Sequence, residues 1–493
     1  MNVSNRILSI TAGAVAGAIL AGCTVGPNYQ APQMATPPAF AEGMQPATTQ
    51  PATQPTEVGA DLTTWWTSFG DPTLDALVER AVEQNIDLRI AALRIIEARA
   101  VLGINRSFLF PALDGSGGYR FQRSSRNTGR AFSTDPDSEL WTAGFVASWE
   151  IDVFGGIRRS IEASEADFAA AVEDRRDVLV TLVSDVAGNY IQLRGAQRQL
   201  EILQRNLQTQ EQTLELTRSR FRAGLTSDLD VARAETQTQG TKARIPTAED
   251  QIRRSIRRLA VLLGLQPESL TSELMPQAPI PVAAYDLAVG LPSDLLRRRP
   301  DIRRAERQLA AATARIGVAT SDLFPRFSLD GDFGWAAEEG KNLFDESAIG
   351  WSIGPAIRWQ LLNFGRVTSN IEAAQARADQ AIDFYELIVL RSLEETENAI
   401  GSYRREQERR ESLKAAVSSS QRAVQLADQL YRQGLTSFQD VLDAQRVLLG
   451  AESELASSEQ AVSANLVAVY RSLGGGWDPQ LAPPDSGPLL KLP

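Results

Sequence analysis

Histidine is missing altogether from the 493 residues. That removes the commonest general base and the commonest neutral metal ligand. Cysteine occurs once, at Cys23, so neither an internal disulfide nor a thiolate cluster can form. The formal net charge is −11, and no basic cluster offsets it, which argues against nucleic acid as a partner. No nucleophile–base pair, phosphate loop or metal-ligand spacing stands out. The chemistry expected is therefore not that of an enzyme, and no cofactor is expected.

The single cysteine has a setting of its own. Arg6 precedes the apolar run "ILSITAGAVAGAILAG", which is too short and too rich in Ala and Gly for a spanning helix and reads as a signal peptide. The run closes on "LAGC", with Leu20 three residues before the Cys and Ala21 and Gly22 between. This resembles a bacterial lipobox, which implies cleavage before Cys23 and acylation of its sulfur and new amino group. Thr24, not Asp, follows, as in lipoproteins sorted to the outer membrane. Residues 1–22 then form a lipoprotein signal peptide. Residues 23–60 form an acylated N-terminus and a Pro-rich tether, "ATTQPATQPTE".

Order is expected from "DLTTWWTSFGDP" onward. Asp71-Pro72 is an N-cap followed by Pro at the first helical position. Leu74, Leu77, Val78 and Ala81 give the stripe of an amphipathic helix.

The rest of the chain repeats itself. "RFRAGLTSDLDV" at 220–231 returns as "LYRQGLTSFQDV" at 430–441, 210 residues on. At the same offset, "IEA" recurs at 371–373, Phe154-Gly155 matches Phe364-Gly365, Trp141 and Trp149 match Trp351 and Trp359, and Leu263-Gly264 matches Leu473-Gly474. Upstream, Phe110-Pro111 matches Phe324-Pro325 at an offset of 214. A tandem duplication is expected. One structural repeat would cover 61–289, the other 290–477, with a tail at 478–493.

Each copy holds two kinds of segment. Leu200, Leu207, Leu214 and Phe221 fall every seven residues, as do Val417, Val424 and Tyr431, and Val441, Leu448, Leu455, Val462 and Val469. Sustained sevens predict long helices packed as coiled coils. One helix, from about 157 to 222, would run on the order of 100 Å. Pro246 should break the returning helix of the first copy, where the second has Ala456. Between helices lie segments of period two, expected at about 110–124, 140–154, 324–337 and 348–364. In the last of these Trp351, Ile353, Pro355, Ile357, Trp359 and Leu361 share one face, opposite Ser352, Gly354, Ala356, Arg358 and Gln360. Trp141, Phe145, Trp149, Ile151 and Val153 likewise oppose Thr142, Gly144, Ser148, Glu150 and Asp152, and Asp330 and Asp332 lie on a polar face. This is the pattern of transmembrane β-strands, although a soluble two-layer sheet also alternates. Four strands cannot close around an aqueous channel, and an open sheet cannot face lipid, so the chain should oligomerise. Three chains would supply twelve strands.

Several stretches are similar to the TolC-like outer-membrane factor family, in its OprM/NodT-type lipoprotein branch. They are "CTVGPNY", "DPTLDALVERAVEQNIDL", "LPSDLLRRRPDIRRAERQLAAATARIGVATSDLFP" at 291–325, the paired "GLTS" turns and "LGGGW" at 473–477. The resemblance implies a mixed α/β membrane protein. Its trimer would form a twelve-stranded barrel in the outer membrane, continued by an α-helical tunnel through the periplasm. It also implies an exit duct for an inner-membrane pump of RND type, joined through a periplasmic adaptor protein. The turns at Gly224, Leu225, Thr226 and Ser227 and at Gly434, Leu435, Thr436 and Ser437 would form the periplasmic rim and meet the adaptor. Asp440 and Asp443 match the family's gate carboxylates, and Tyr431 and Asp230 match a linking pair. The family's linking Arg is Thr436 here. Asp230 and Asp440 each follow a Ser by three residues, so helix capping explains them equally well. Asp443 has no such cap, and Arg233 takes its place in the first copy. Arg297, Arg298, Arg299 and Asp301 around Pro300 read as structural. Two other roles fit parts of the pattern: the channel of a type I protein secretion system, or a coiled-coil lipoprotein spanning the periplasm as a tether. A tether has no use for amphipathic membrane strands.

Overall fold

The computed structural model describes residues 24–32, 34, 37–41, 62–123, 125, 137–283 and 292–478. The signal peptide, Cys23, most of the tether and the tail beyond 478 lie outside the described residues.

In chain order the main elements are α1 (Pro72–Gln84), α2 (Ile86–Ser107), β1 (Ala112–Arg123), β2 (Asp137–Ile151) and α3 (Gly156–Arg222). There follow α4 (Asp228–Lys242), α5 (Ile245–Leu262), the single turn α6 (Thr271–Leu274), α7 (Pro292–Arg298) and α8 (Pro300–Ser321). The chain ends with β3 (Arg326–Ala337), β4 (Ile349–Arg358), α9 (Arg366–Arg432) and α10 (Phe438–Ser472). Both α3 and α9 are unbroken over 67 residues and lie 210 residues apart, whereas α2 and α8 are both 22 residues long and lie 214 apart. Pro246 has the expected effect. It cannot donate to the carbonyl of Lys242, its ring clashes there, and the helix stops at Lys242 and restarts at Ile245. The corresponding α10 runs through Ala456 without a break. No helix among the described residues is long and apolar enough to cross a membrane.

Contacts divide the chain into two compact units. The first holds residues 1–33, 94–171 and 304–386. It carries a four-stranded antiparallel meander in the order β1-β2-β3-β4. In β2·β3, Phe145 pairs with Phe333 and Ser148 with Asp330; in β3·β4, Asp332 pairs with Ser352 and Phe333 with Trp351. Apolar residues therefore share one face and polar residues the other, in the phase expected from the sequence. On the polar face Ser148 Oγ donates to Asp330 at 2.7 Å, Ser328 Oγ donates to the same carboxylate at 2.8 Å, and Ser352 donates to Asp332. On the other face Trp351, Ile353 and Ile357 are each about two-thirds exposed. The strands differ from expectation chiefly at three ends. β2 starts at Asp137, three residues early. β2 stops at Ile151 because Asp152 turns to accept from the N–H groups of Ile157 and Arg158 and starts α3. β4 stops at Arg358, six residues early, where nothing pairs with its free edge.

The same unit seats the N-terminal segment. Arg159, 3% exposed, donates from Nε to the Val25 carbonyl at 3.0 Å and from Nη2 to the Gly26 carbonyl at 3.2 Å and Asn28 Oδ1 at 2.7 Å. The Val25 N–H reaches the Phe154 carbonyl, and the Tyr29 hydroxyl donates to Glu306. A Cβ on Gly26 would come within 2.5 Å of Gly317 Cα, and one on Gly317 within 2.8 Å of the Arg159 side chain. The "VGPNY" stretch is thus a fitted strap.

The second unit holds residues 34–93, 172–303 and 387–493. Leu74, Leu77, Val78 and Ala81 are buried, and Asp71 caps α1 by accepting from the N–H groups of Thr73 and Leu74. Trp65 stacks on Tyr470 at 5.0 Å. Trp477 lies under the guanidinium groups of Arg176 and Arg303, which share the buried carboxylate of Glu173. Arg299 is buried and fully committed. It donates to Asp301, to Glu395 at 2.8 Å and to the Ser472 carbonyl at 2.8 Å. Burial alone would lower its pKa, but the Asp301 and Glu395 carboxylates outweigh that and raise it. Arg299→Ala leaves these partners uncompensated and should cost about 3–5 kcal/mol. The exposed Arg297→Ala should stay within about 0.5 kcal/mol. Thermal unfolding in detergent measures both, and equal midpoints would refute the clamp.

Candidate functional site

The two "GLTS" segments fold alike. Gly224 (φ 73°) and Gly434 (φ 74°) take the left-handed conformation that ends a helix. The Leu225 N–H bonds to the Arg220 carbonyl and the Gly224 N–H to the Phe221 carbonyl. Leu435 and Gly434 repeat this on Leu430 and Tyr431. These are Schellman closures. Leu225 and Leu435 project outward, 67% and 70% exposed.

Three residues later each helix restarts on a capping box, Ser227 with Asp230 and Ser437 with Asp440. Asp230 Oδ2 accepts from Thr226 Oγ1 at 2.5 Å and Ser227 Oγ at 3.1 Å. Asp440 Oδ2 accepts from Thr436 Oγ1 at 2.6 Å and Ser437 Oγ at 2.7 Å. The Ser437 and Thr436 hydroxyls hold Asp440 below its ordinary carboxylate pKa. For Asp230, burial pushes upward, but the Thr226 and Ser227 bonds prevail and the pKa is lowered. Thr436, where the resemblance leads one to expect a linking Arg, is therefore occupied in fastening its own turn.

Asp443 is half exposed and engaged twice, accepting from Gln439 Nε2 at 3.0 Å and from Arg446 Nη1 at 3.1 Å. Arg233, its counterpart in the first copy, lies 3.9 Å from Asp230. Tyr431 is buried in a cluster with Leu214, Val231, Ala234, Phe438, Val441 and Leu442. Its hydroxyl is buried without a partner. The structure thus brings Tyr431 and Asp230 to one tip without a hydrogen bond between them in the chain.

No pattern in the sequence singles out Arg220, whose guanidinium carbon lies 4.7 Å from the Tyr431 ring centroid. Nor did it flag a buried polar ladder above the tips. Gln445 donates to Thr213 Oγ1 at 3.0 Å, and Glu452 accepts from Arg205 and Asn206, each at 2.9 Å. These residues stand on heptad-bearing helices where apolar side chains are the default, and only packing reveals their partners. A groove of about 780 Å³ between α4 and α10 is lined by Gly240 and Gly450 with Arg233, Arg244 and Arg446. No carboxylate, Cys and His grouping among the described residues could hold a metal ion.

Because both caps have depressed pKa values, their stabilisation is complete above the unfolded carboxylate pKa of about 3.9 and is lost as pH falls through the folded values. Acidification below about pH 4 should therefore loosen the tips. An Asp230→Asn/Asp440→Asn variant should lose much of that acid sensitivity, as read by its unfolding midpoint against pH. An unchanged pH profile would remove the caps as its cause. Ser437→Ala should cost about 1 kcal/mol.

The family described as "Outer membrane efflux protein" matches residues 77–265 and 291–475. Nodulation protein T of Rhizobium leguminosarum bv. trifolii is 33% identical over 463 residues, covering 94% of this chain and 96% of that protein. The antibiotic efflux pump outer membrane protein ArpC of Pseudomonas putida is 30% identical, covering 95% and 96%. The outer-membrane channel OprN superposes with a TM-score of 0.85 at 39% identity, covering 92% of this chain and 100% of that one.

Proposed function

The chain belongs to the outer membrane efflux protein family, and from that premise we propose that it is the outer-membrane channel of a tripartite efflux system. It would act as a passive exit duct for substrates delivered by an inner-membrane pump through a periplasmic adaptor. Three chains would close a twelve-stranded barrel, and the long helices would continue the duct into the periplasm. Cys23 would carry the lipid anchor after removal of residues 1–22. The segments 61–289 and 290–477 would be two copies of one ancestral unit.

The observation that carries this reading is the sheet. It has one wet face and one apolar face, and two edges without partners in the chain. In lipid each unpaired backbone group costs several kcal/mol, so such a sheet is a sector of a closed barrel. With the polar face inward, Asp330, Asp332, Ser148 and Ser352 line a wet bore.

At the far end the six "GLTS" turns of a trimer would form the rim and meet the adaptor. Asp440 and Asp443 would place six carboxylates at the mouth, with Asp230 and Tyr431 beside them. Repulsion among them is screened over about 8 Å at physiological salt. The Arg446 pairing of Asp443 and the Arg220–Tyr431 contact oppose that repulsion within each chain.

Two experiments test this. Ile353→Lys places a cation on the proposed lipid face near mid-strand and should cost up to about 2–4 kcal/mol per chain. Gly354→Lys, one residue on, faces the lumen opposite Asp330 and should be accepted. The fraction of heat-modifiable oligomer on a gel reports both, and equal tolerance would reject the barrel phase. In planar bilayers, an Asp440→Ala/Asp443→Ala channel should lose cation selectivity and divalent block; unchanged values would remove both carboxylates from the constriction.

A further inference from the structure

The two copies of the repeat differ in charge where the sheet meets the helices. Arg326 at the start of β3, Arg358 at the end of β4 and Arg366 at the start of α9 line one groove of about 710 Å³. Their counterparts in the first copy are Ala112, Ser148 and Gly156. One copy therefore gathers three guanidinium groups at a place where the other has none. The whole groove is built within one chain and within the first compact unit.

The charges are poorly matched. Arg326 and Arg358 are directly opposed in β3·β4, on the polar face that also carries Ser328, Asp330 and Ser352. Like charges in that position destabilise a sheet. Arg326 is answered by Asp322, to which Nη2 donates at 2.6 Å, and by Glu150 at 3.9 Å. Arg366 donates only to the neutral side chain of Gln360. Arg358 has neither a hydrogen bond nor an ion pair among the described residues. Asp330 feels its charge, but that carboxylate already accepts from Ser148 and Ser328. Within the groove, three cations thus face one carboxylate, Asp322.

The adjoining helix end adds to the imbalance. In the first copy the Asp152 carboxylate accepts from the N–H groups of Ile157 at 3.1 Å and Arg158 at 2.9 Å, so α3 opens on an anion of its own. Leu362 stands at that place in the second copy. No carboxylate among the described residues caps α9, and the positive pole of a 67-residue helix lies beside the three guanidinium groups.

We infer that this groove binds an oxyanion, a phosphate, sulfate or carboxylate group, which takes in the second copy the role that Asp152 plays in the first. Arg326 and Arg358 grip it from the sheet, and Arg366 and the first amides of α9 grip it from the helix. The bound charge offsets the repulsion between the opposed arginines. Phe324 in the groove wall offers the apolar part of an amphiphilic anion a surface to lie on. In the proposed trimer three such sites would ring the bore at the strand–helix junction, opposite in sign to the carboxylates at the tips.

Phosphate-dependent stability tests the site. The full chain is purified in a non-ionic detergent, and its unfolding midpoint is followed against inorganic phosphate, with chloride holding the ionic strength constant. A ligand that binds only the folded state raises the midpoint with concentration, by an amount that its affinity sets. Such a rise is expected for the unmodified chain. Arg358→Ser installs the residue of the first copy and breaks no hydrogen bond; it should weaken the apparent affinity by about tenfold. Leu362→Asp installs the cap of the first copy; it should raise the midpoint without phosphate and abolish the response to it. Arg377→Ser removes the same charge from an exposed position of α9 outside the groove and should respond as the unmodified chain does. No response in the unmodified chain, or an equal response in all four proteins, overturns the site. A loss in Arg377→Ser as large as in Arg358→Ser also overturns it, since net charge would then suffice. Dodecyl phosphate in the same micelles separates the sources. Affinity about tenfold or more above that of inorganic phosphate upholds the site as one for an amphiphile or lipid headgroup; equal affinity upholds it as one for a free anion. Native mass is read on the same samples. A monomer that keeps the phosphate response removes the trimeric reading and leaves the site standing.

Discussion

Backbone hydrogen bonding at a sheet edge governs this molecule. β1 and β4 each leave one row of N–H and C=O groups unpaired within the chain. In water that row could be solvated, but in hydrocarbon it could not. The apolar face that the sheet presents, with Trp351, Ile353 and Ile357 bare, suits contact with hydrocarbon. Both facts together are what support the proposal that several chains join to close the sheet. In the proposed barrel, a strand of a neighbouring chain would satisfy that row of groups.

The helical half of the molecule solves a different problem with equal economy. A pair of helices must reverse direction sharply, twice, at one end. Gly in the left-handed region ends the descending helix, and a Ser–Asp capping box starts the returning one, so the Gly, Leu, Ser and Asp amides of each tip find acceptors nearby. The local chemistry is duplicated, but its surroundings are not. Pro246 breaks one returning helix and spares the other. Arg233 stands where the other half has Asp443, so charge at the two tips differs in sign at equivalent positions.

Periodicity made much of this legible beforehand. The heptads marked α3, α9 and α10, alternation marked the four strands with their faces, and Gly-Leu-Thr-Ser marked both reversals. Asp71 and the Leu74, Leu77, Val78 and Ala81 stripe behaved as their spacing required. What stayed hidden depends on residues distant in sequence. Arg220 meets Tyr431 across more than two hundred positions, and Arg159 grips a strap from the N-terminus. An Arg on a long helix looks like any other solvated cation until its neighbour is placed. Within the chain Tyr431 and Asp230 make no hydrogen bond, and Asp230 Oδ2 accepts from Thr226 and Ser227. The early end of β4 is likewise physical, because alternation in a sequence signals which residues suit a strand but not whether a partner is present to make one.

The strap held by Arg159 bears on how the protein sits in its membrane. Residues 25–29 are fixed to α3, to the Phe154 carbonyl and to Glu306, so the chain has almost no slack between the folded body and position 23. A long flexible leash would let an acyl chain wander over a wide patch of leaflet, at low effective concentration near the barrel. If Cys23 is acylated as proposed, a leash of a residue or two would instead keep the acyl chains beside the strand–helix junction. In the proposed assembly, barrel and lipid would then behave as one rigid footing, with a change in bilayer thickness met by the membrane and not by the tether.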